Sequence, residues 1–517
     1  MMTIFPPRSI LYVAACLFAG LLSYGYAVAE EAADRSSKPN IVIVLTDDLG
    51  YGDVSFLNTE SKVKTPHMDA LAEAGIWATD AHSPSTVCSP SRYAMLTGRH
   101  AWRRKPVRGG RLNPWAESVI LADRITLPKM LKTKGYATAC IGKWHLGWEW
   151  PWKGGEKPPA SVIGGSTSTA KCEHFDWSRP IKGGPLGAGF DYYFGDDVPN
   201  FPPYAFIEND RLTCDPVDFD AKPLNKQVLR RGGYFHGIGP GEKGWRLEHV
   251  MPAITGKAVE YIGKQGKKDE PFFLFFSTTS PHTPIVPVAE FHGTSQAGRY
   301  GDYITQTDDS VGQIVAALKA AGIDQDTLLI VSSDNGPAPF MRELIQTHQH
   351  NPSGSLRGLK RDLLEGGHRV PFIASWPNGG IDGGRRVDAT ISLTDLFATI
   401  AGIVQAPLAD GTAEDSLDIL PSLRSGEPVR KELVYHATGG RLGLRQGEWA
   451  YLRPGGITPE PDWFQEQWKG DPLDAPALLF NLSKDIAQKK NLHDEFPERV
   501  KQMEQRLAEI QKASPTQ

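Results

Sequence analysis

Five short apolar runs punctuate the chain: NIVIVL from Asn40, YATACI from Tyr136, PFFLFFS from Pro271, TLLIVSS from Thr327 and VPFIASW from Val370. Each is continuously apolar rather than alternating, as expected of strands buried on both faces. Between them, apolar positions recur with a helical period. TPHMDALAEAG places Thr65 as N-cap, Pro66 at the first helical position and Gly75 at the end. TLPKMLKTKG repeats that layout with Thr126 and Gly135, and DDSVGQIVAALKAAG is a third apolar-striped helix. Strand–helix alternation predicts an α/β fold with a doubly wound, mostly parallel central sheet flanked by helices. Towards the end the pattern changes. GRLGLRQGEWAYLRP and ALLFNLS read as strands of a small antiparallel sheet, and EFPERVKQMEQRLAEIQK as a charged amphipathic helix. The expected organisation is a main domain over residues 38–430 and a C-terminal α+β subdomain over 431–517. The long segment from Trp148 to Gly244, rich in Gly, Pro and aromatics, reads as an excursion that shapes a binding surface.

The first residues have a different character. Arg8, the apolar run ILYVAACLFAGLL and the small residues AVA before Glu30 read as a secretory signal over residues 1–29. The run is too short for a comfortable membrane span, so an exported, periplasmic or secreted protein with no span after signal removal is expected. Cys16 after VAA loosely resembles a lipoprotein box, but the apolar run continues past it, which favours cleavage after Ala29. A net charge of −4 over 517 residues leaves no electrostatic footprint for nucleic acid. Thirteen tryptophans and 53 glycines fit a loop-rich enzyme with aromatic surfaces suited to sugar rings, although tryptophan is more often simply core. Beyond the signal only Cys88, Cys140, Cys172 and Cys214 remain, too few for a disulfide scaffold. Cys172 and Cys214 are candidates to pair, and Cys140 reads as a buried free thiol.

In open α/β sheets, ligands bind beyond the carboxyl ends of the strands. Four of the predicted strands run directly into reactive side chains: Asp47 and Asp48; Lys143 and His145; His282; Asp334 and Asn335. Each alone has an ordinary reading as a turn, a cap or a hydrogen-bonded histidine. Together they fall where the fold places an active site. Asp47, Asp48, Asp334 and Asn335 are all oxygen donors, which selects calcium or magnesium over zinc. Three carboxylates gathered together require a cation or a raised pKa. Arg92, Lys143, Lys360 and the two histidines add a basic set suited to a tetrahedral oxyanion, sulfate or phosphate. Cys88 precedes SPSR, a helix start whose N–H groups and dipole favour an anion at residue 88. A thiolate is a poor partner for a hard cation, so an oxygen nucleophile fits the place better.

At this point the residues resemble the type I formylglycine-dependent sulfatases of the alkaline phosphatase superfamily. CSPSR matches the C-x-P-x-R signature and TGR follows it; PNIVIVLTDDLGYGD, GKWHLG, SPHTP, SDNGP and GLKRDLLEGGHRVP match in family order. The resemblance spans Pro39 to about Gly402, and LFNLSKDIAQKKNL is similar to the family's closing segment. It implies a sulfuric ester hydrolase in which a maturation enzyme oxidises Cys88 to formylglycine. The hydrate of that aldehyde supplies the oxygen nucleophile, and its second hydroxyl later expels sulfate. The resemblance implies Asp47, Asp48, Asp334, Asn335 and residue 88 as ligands of Ca2+, with Mg2+ the less usual ion. It implies Arg92 as the residue that steadies residue 88, Lys143 and Lys360 as sulfate binders, His145 as a base and His282 as general acid or sulfate ligand.

His368 in EGGHR departs from the commoner aliphatic residue; a place in the substrate pocket and a structural hydrogen bond are both open. His100, Arg103 and Arg104, with Trp102, are candidates for binding an anionic sugar or for a plain solvated turn. The segment PIKGGPLGAGFDYYFGDDVPNFPPYAFIEND resembles loops of carbohydrate sulfatases and is a candidate sugar platform or a packed surface loop. The expected substrate is a sulfated sugar or polysaccharide fragment, with 6-sulfated galactose or N-acetylgalactosamine units the specific expectation. A phosphonate or phosphodiester hydrolase of the same superfamily, and a non-catalytic sulfoglycan-binding protein with unmodified Cys88, are the rival readings.

Overall fold

The computed structural model describes residues 38–163, 169–222 and 237–513; the signal expected over 1–29, with Cys16, lies outside the described residues. Ten strands form the central sheet: β1 (Asn40–Asp47), β2 (Ile76–Ala78), β3 (Ala137–Gly142), β4 (Tyr192–Gly195), β5 (Ile207–Glu208), β6 (Arg211–Leu212), β7 (Phe272–Pro281), β8 (Thr327–Ser333), β9 (Phe372–Ser375) and β10 (Arg385–Val387). Their order is β10-β2-β9-β8-β1-β7-β3-β4-β5-β6. The five central strands, β8 to β4, pair in parallel; antiparallel pairs extend the sheet on both sides, and β10 joins β2 in parallel at one edge.

The continuous apolarity of β1 has a direct cause. Ile41, Ile43 and Leu45 enter one core and Val42 and Val44 the other, all 0–1% exposed. One face is covered by α1 (Pro66–Ala74), α4 (Val250–Gln265) and α5 (Gly298–Ala320). The opposite face is covered by α2 (Cys88–Thr97), α3 (Leu127–Lys132) and α6 (Leu396–Ile403). Burying both faces of a sheet in this way supplies the main apolar driving force for the fold.

Helix starts follow the expected plan with one exception. Thr126 accepts from Lys129 N as predicted. Thr65 does not cap α1; its hydroxyl donates to Asp69 instead. The orphan N–H groups of His67 and Met68 donate to Asp308 of α5, at 3.0 and 2.8 Å, so the cap comes from a neighbouring helix.

The excursion after Trp148 supplies β4, β5 and β6 to the sheet edge. Its tryptophans are core: Trp148, Trp150 and Trp152 are 1–6% exposed, and Trp115 meets Trp150 edge-on at 4.8 Å. Phe201 and Tyr204 are buried as well, so these aromatics pack inward rather than forming an open sugar platform. Cys172 and Cys214, the two candidates to pair, are free thiols, and Cys140 is a buried free thiol.

At the chain's end, β11 (Glu432–His436), β12 (Leu442–Gln446), β13 (Trp449–Leu452) and β14 (Leu478–Asn481) form a separate antiparallel sheet. One face packs on α7 (Pro497–Lys512) through Met503 and Leu507. The other packs on Leu363 and Leu364, and so covers the segment that carries Lys360. Among the described residues no helix is long and apolar enough to cross a membrane.

Candidate active site

β1, β8, β3 and β7 deliver their terminal residues to one edge of the sheet. Asp48 turns away from β1 at φ +67°, and its carboxylate lies beside Asn335, Lys360 and His282. Asp48 N donates to Asp334 Oδ1 at 3.3 Å, and Asp334 N donates to Thr46 O at 3.0 Å. Asn335 Nδ2 donates to Asp48 Oδ1 at 2.7 Å. Cys88 is the first residue of α2, follows an extended Val87 with no side-chain cap, and is 1% exposed. Asp47, Cys88 and Asp334 each offer a ligand atom within 4.8 Å of the others.

The basic residues interlock with these acids. Arg92, one turn along α2, donates from Nε to Asp334 Oδ2 at 3.0 Å and also reaches Ser277 Oγ and Lys143 O. Lys143 Nζ donates to Asp47, and Lys360 Nζ donates to Asp48 Oδ1 at 2.5 Å. His145 Nδ1 lies 3.3 Å from Cys88 Sγ, while its Nε2 faces Leu112 O at 3.2 Å. His282 Nε2 lies 3.8 Å from Asp48 Oδ2. Thus all ten expected core residues converge on one centre.

Burial sets the electrostatics. For Asp47 burial favours the proton, but Lys143, His282 and Arg92 outweigh it and hold the carboxyl below its usual range. For Asp334 burial and the charge of Asp47 win over Arg92, and its pKa rises well above the usual value. Burial, reinforced by Lys143, lowers His145 to about 3. Burial lowers His282 to about 4 against the pull of Asp47 and Asp48. Both rings are therefore neutral at pH 7. Burial also works against the charge of Lys360, yet Asp48 leads a set of anions that raises its pKa. Asp47 Oδ1 and Asn335 Oδ1 are buried without hydrogen-bond partners. Unpaired buried oxygens beside mutually repelling carboxylates could hold a hard divalent cation.

The other candidates lie elsewhere. His100 and Arg103 follow the far end of α2, about 15 Å from Cys88 along a ten-residue helix. Arg103 forms an ion pair with Asp415 at 2.7 Å and lies over Trp102 at 4.0 Å; His100 N donates to the same Asp415. Arg104 Nε donates to Val119 O. His368 is fully buried, hydrogen-bonded to His82 at 2.9 Å and stacked on Tyr435 at 3.7 Å, contacts that fit the structural reading. His82, Glu365 and His368 form a second cluster of ligand-type side chains. There Asp80 and Glu365 are already matched by Arg369 and Arg445, which leaves no surplus negative charge for a cation.

Some site residues escaped the sequence reading. Asp197, just past β4, accepts from His145 N and from Trp148 Nε1, both at 3.1 Å. The rule that singled out Asp47 and Asp48, applied to DYYFGDD, would have found it. Arg111 and Arg361 also stand close to residue 88: Arg111 precedes Leu112, whose N donates to Ser89 Oγ at 3.3 Å, and Arg361 N donates to Thr86 O at 2.9 Å.

A doubly wound sheet with acids and bases gathered at its strand ends defines a hydrolase of the alkaline phosphatase-like fold. Residues 39–406 match the family model described as Sulfatase. The chain is 30% identical to the N-acetylgalactosamine-6-O-sulfatase of Bacteroides thetaiotaomicron, over 93% of this chain and 95% of that one. It is 31% identical to mouse N-acetylgalactosamine-6-sulfatase, over 81% of this chain and 72% of the relative. It is 30% identical to human arylsulfatase A, over 94% and 86% of the two chains. A solved structure described with the metabolism of multiple glycosaminoglycans by B. thetaiotaomicron superposes with a TM-score of 0.76 at 29% identity, covering 92% of this chain and 100% of that one. The chain belongs to the sulfatase family, and it is a sulfatase.

Proposed function

We propose that the protein is an exported sulfatase that removes sulfate from a sulfated carbohydrate, a 6-sulfated N-acetylgalactosamine or galactose unit being the specific substrate. It acts with formylglycine at position 88 and a bound Ca2+. The reading rests above all on residue 88, which is buried at a helix N-terminus within reach of Asp47, Asp334 and His145. The N-acetylgalactosamine-6-sulfatase relatives support the sugar and the position.

Asp47, Asp48, Asp334 and Asn335 would hold the cation, which when bound supplies a Lewis acid; the formylglycine hydrate, when formed, supplies the oxygen nucleophile. The other residues have roles that follow from their placement. Lys143 and Lys360 carry fixed positive charge to the place of the sulfate oxygens. Arg92 anchors α2 to Asp334 and so fixes where residue 88 points. His145, neutral at pH 7 and 3.3 Å from the side-chain tip of residue 88, is set to accept its proton. His282, 3.8 Å from Asp48 Oδ2, would serve as general acid or sulfate ligand.

The direct test is mass spectrometry of the tryptic peptide from Thr65 to Arg92. Conversion of Cys88 makes it lighter by roughly the mass of one water molecule and reactive towards an aldehyde probe. An unmodified cysteine in the native protein would remove the catalytic reading and favour a sulfoglycan-binding protein. Turnover of sulfate, phosphate and phosphonate esters of one shared alcohol separates a sulfatase from its superfamily rival. Sulfate should be preferred.

A further inference from the structure

Arg111 and Arg361 differ from the other arginines around the site. Arg92, Arg103, Arg369 and Arg430 each pair with a buried carboxylate. Arg111 and Arg361 are exposed, and among the described residues neither pairs with a carboxylate. Both are nevertheless anchored at the rim of the same centre. Leu112, next to Arg111, donates to Ser89 Oγ and faces His145 Nε2 through its carbonyl. The Arg111 guanidinium lies 5.6 Å from the ring of Phe201, which in turn meets His145 edge-on at 5.7 Å. Arg361 follows Lys360, is held at φ +82°, and is tied through its backbone to Thr86, two residues before Cys88. A branched or long side chain in the left-handed region is strained, and such positions persist where surrounding structure imposes them.

Although Arg111 reaches solvent, the protein crowded around its guanidinium partly desolvates it and lowers its pKa, and the neighbouring Arg361 lowers it further. Two like charges facing one another without an acid between them are unfavourable until an anion joins them. The scissile sulfate already has Lys143 and Lys360, deeper in the site, to receive it. The rim pair is therefore surplus to the sulfate that is cleaved.

We propose that Arg111 and Arg361 form an anion subsite beside residue 88, which selects sulfated sugars carrying a second negative group near the scissile sulfate. This rests on the carbohydrate sulfatase reading above. The second group is an oxyanion suited to guanidinium forks, either the carboxylate of an adjoining uronic acid or a further sulfate on the same sugar.

The test uses three probes: N-acetylgalactosamine 6-sulfate, its 4,6-disulfate, and a 6-sulfated disaccharide carrying a uronate. Calorimetry on the full chain with unmodified Cys88 measures binding without turnover, and kcat/KM on matured enzyme measures use. Arg111→Gln with Arg361→Gln should lower affinity for at least one dianionic probe by on the order of tenfold or more, the range of a charge-assisted hydrogen bond. Affinity for the monosulfate should change by less than about twofold by comparison. Lysine at both positions should restore part of the difference. Loss confined to the disulfate identifies sulfate as the second group; loss confined to the disaccharide identifies the uronate. Equal affinity for all three probes, or an equal loss on all three in the glutamine variant, overturns the subsite. Discrimination in binding without hydrolysis of any probe by matured enzyme would keep the subsite and remove the hydrolase reading.

Discussion

His145 is held at φ +56°, a conformation that a histidine does not adopt freely. Asp197 holds it there through the His145 amide and braces itself on the Trp148 indole. Asp197→Ala should lower kcat by about 10- to 100-fold, the usual effect of misplacing a catalytic group by a fraction of an ångström. Asp197→Asn keeps an acceptor and should stay within a few-fold of the parent. Steady-state kinetics on an aryl sulfate check this, and equal kcat for the alanine and parent enzymes would exclude the role. The main site residues were readable because each directly follows a strand or sits in a short ordered motif. The residues left open are harder to read for the opposite reason. Arg103 finds its acid 312 positions away at Asp415, and nothing local announces that pairing. His368 likewise meets His82 across 286 positions and Tyr435 on another sheet. Arg111 was invisible because an unpaired arginine looks, in sequence, like any solvated one.

At the scale of elements, the site depends on how β3 stops. Gly142 closes the strand at φ +101°, and a Cβ there would lie 1.9 Å from Ser277 O of β7. The next residue is Lys143. Gly142→Ala should therefore destabilise the protein by more than about 2 kcal/mol, since both a steric clash and a forbidden backbone region are involved. A lower urea midpoint measures it, and an unchanged midpoint would mean that β3 and β7 can part without cost. The strands themselves were legible because burial on two faces leaves an unbroken apolar run. The first helix was legible in extent but not in its cap. Thr65 has the right chemistry in the right place, yet Asp308 of α5 offers a charged acceptor to the same N–H groups. Local pattern reports what a segment can do alone, and the packed neighbour decides between equivalent partners.

For the whole molecule, two dependences on solution conditions follow. The first concerns the cation. Asp47 and Asp334 repel one another across the centre, so binding of Ca2+ to the folded state should stabilise it. Saturating calcium should raise Tm by about 3–5 °C over chelator-treated protein, as expected for free ion near a hundred times Kd. Identical melting curves with and without calcium would count against these ligands. The second concerns acid. His368 is buried neutral, and burial lowers its pKa to about 3. Its folded pKa lies below the unfolded value, so the unfolded chain takes up a proton that the native ring refuses. The stabilisation is complete above the unfolded pKa near 6.5 and is lost as pH falls towards 3. The slope is at most about 1.4 kcal/mol per pH unit for this residue. His368→Leu should flatten the fall in urea midpoint between roughly pH 6 and pH 4 by up to that amount. A slope identical to the parent's would show that the ring is protonated in the native state.

The depth of Cys88 also sets a clock. With 1% of its surface exposed, the finished protein offers no access to an enzyme that must grip the chain around it. β8, which brings Asp334 against α2, begins at Thr327, so the site cannot close until a further stretch of about 240 residues has been made. At ordinary rates of synthesis that is roughly 10–50 s in which residue 88 is still on an open chain. The proposed conversion belongs to that interval. A host that makes the polypeptide faster than it can modify it would accumulate a well-folded, permanently idle population, indistinguishable from the working one by shape.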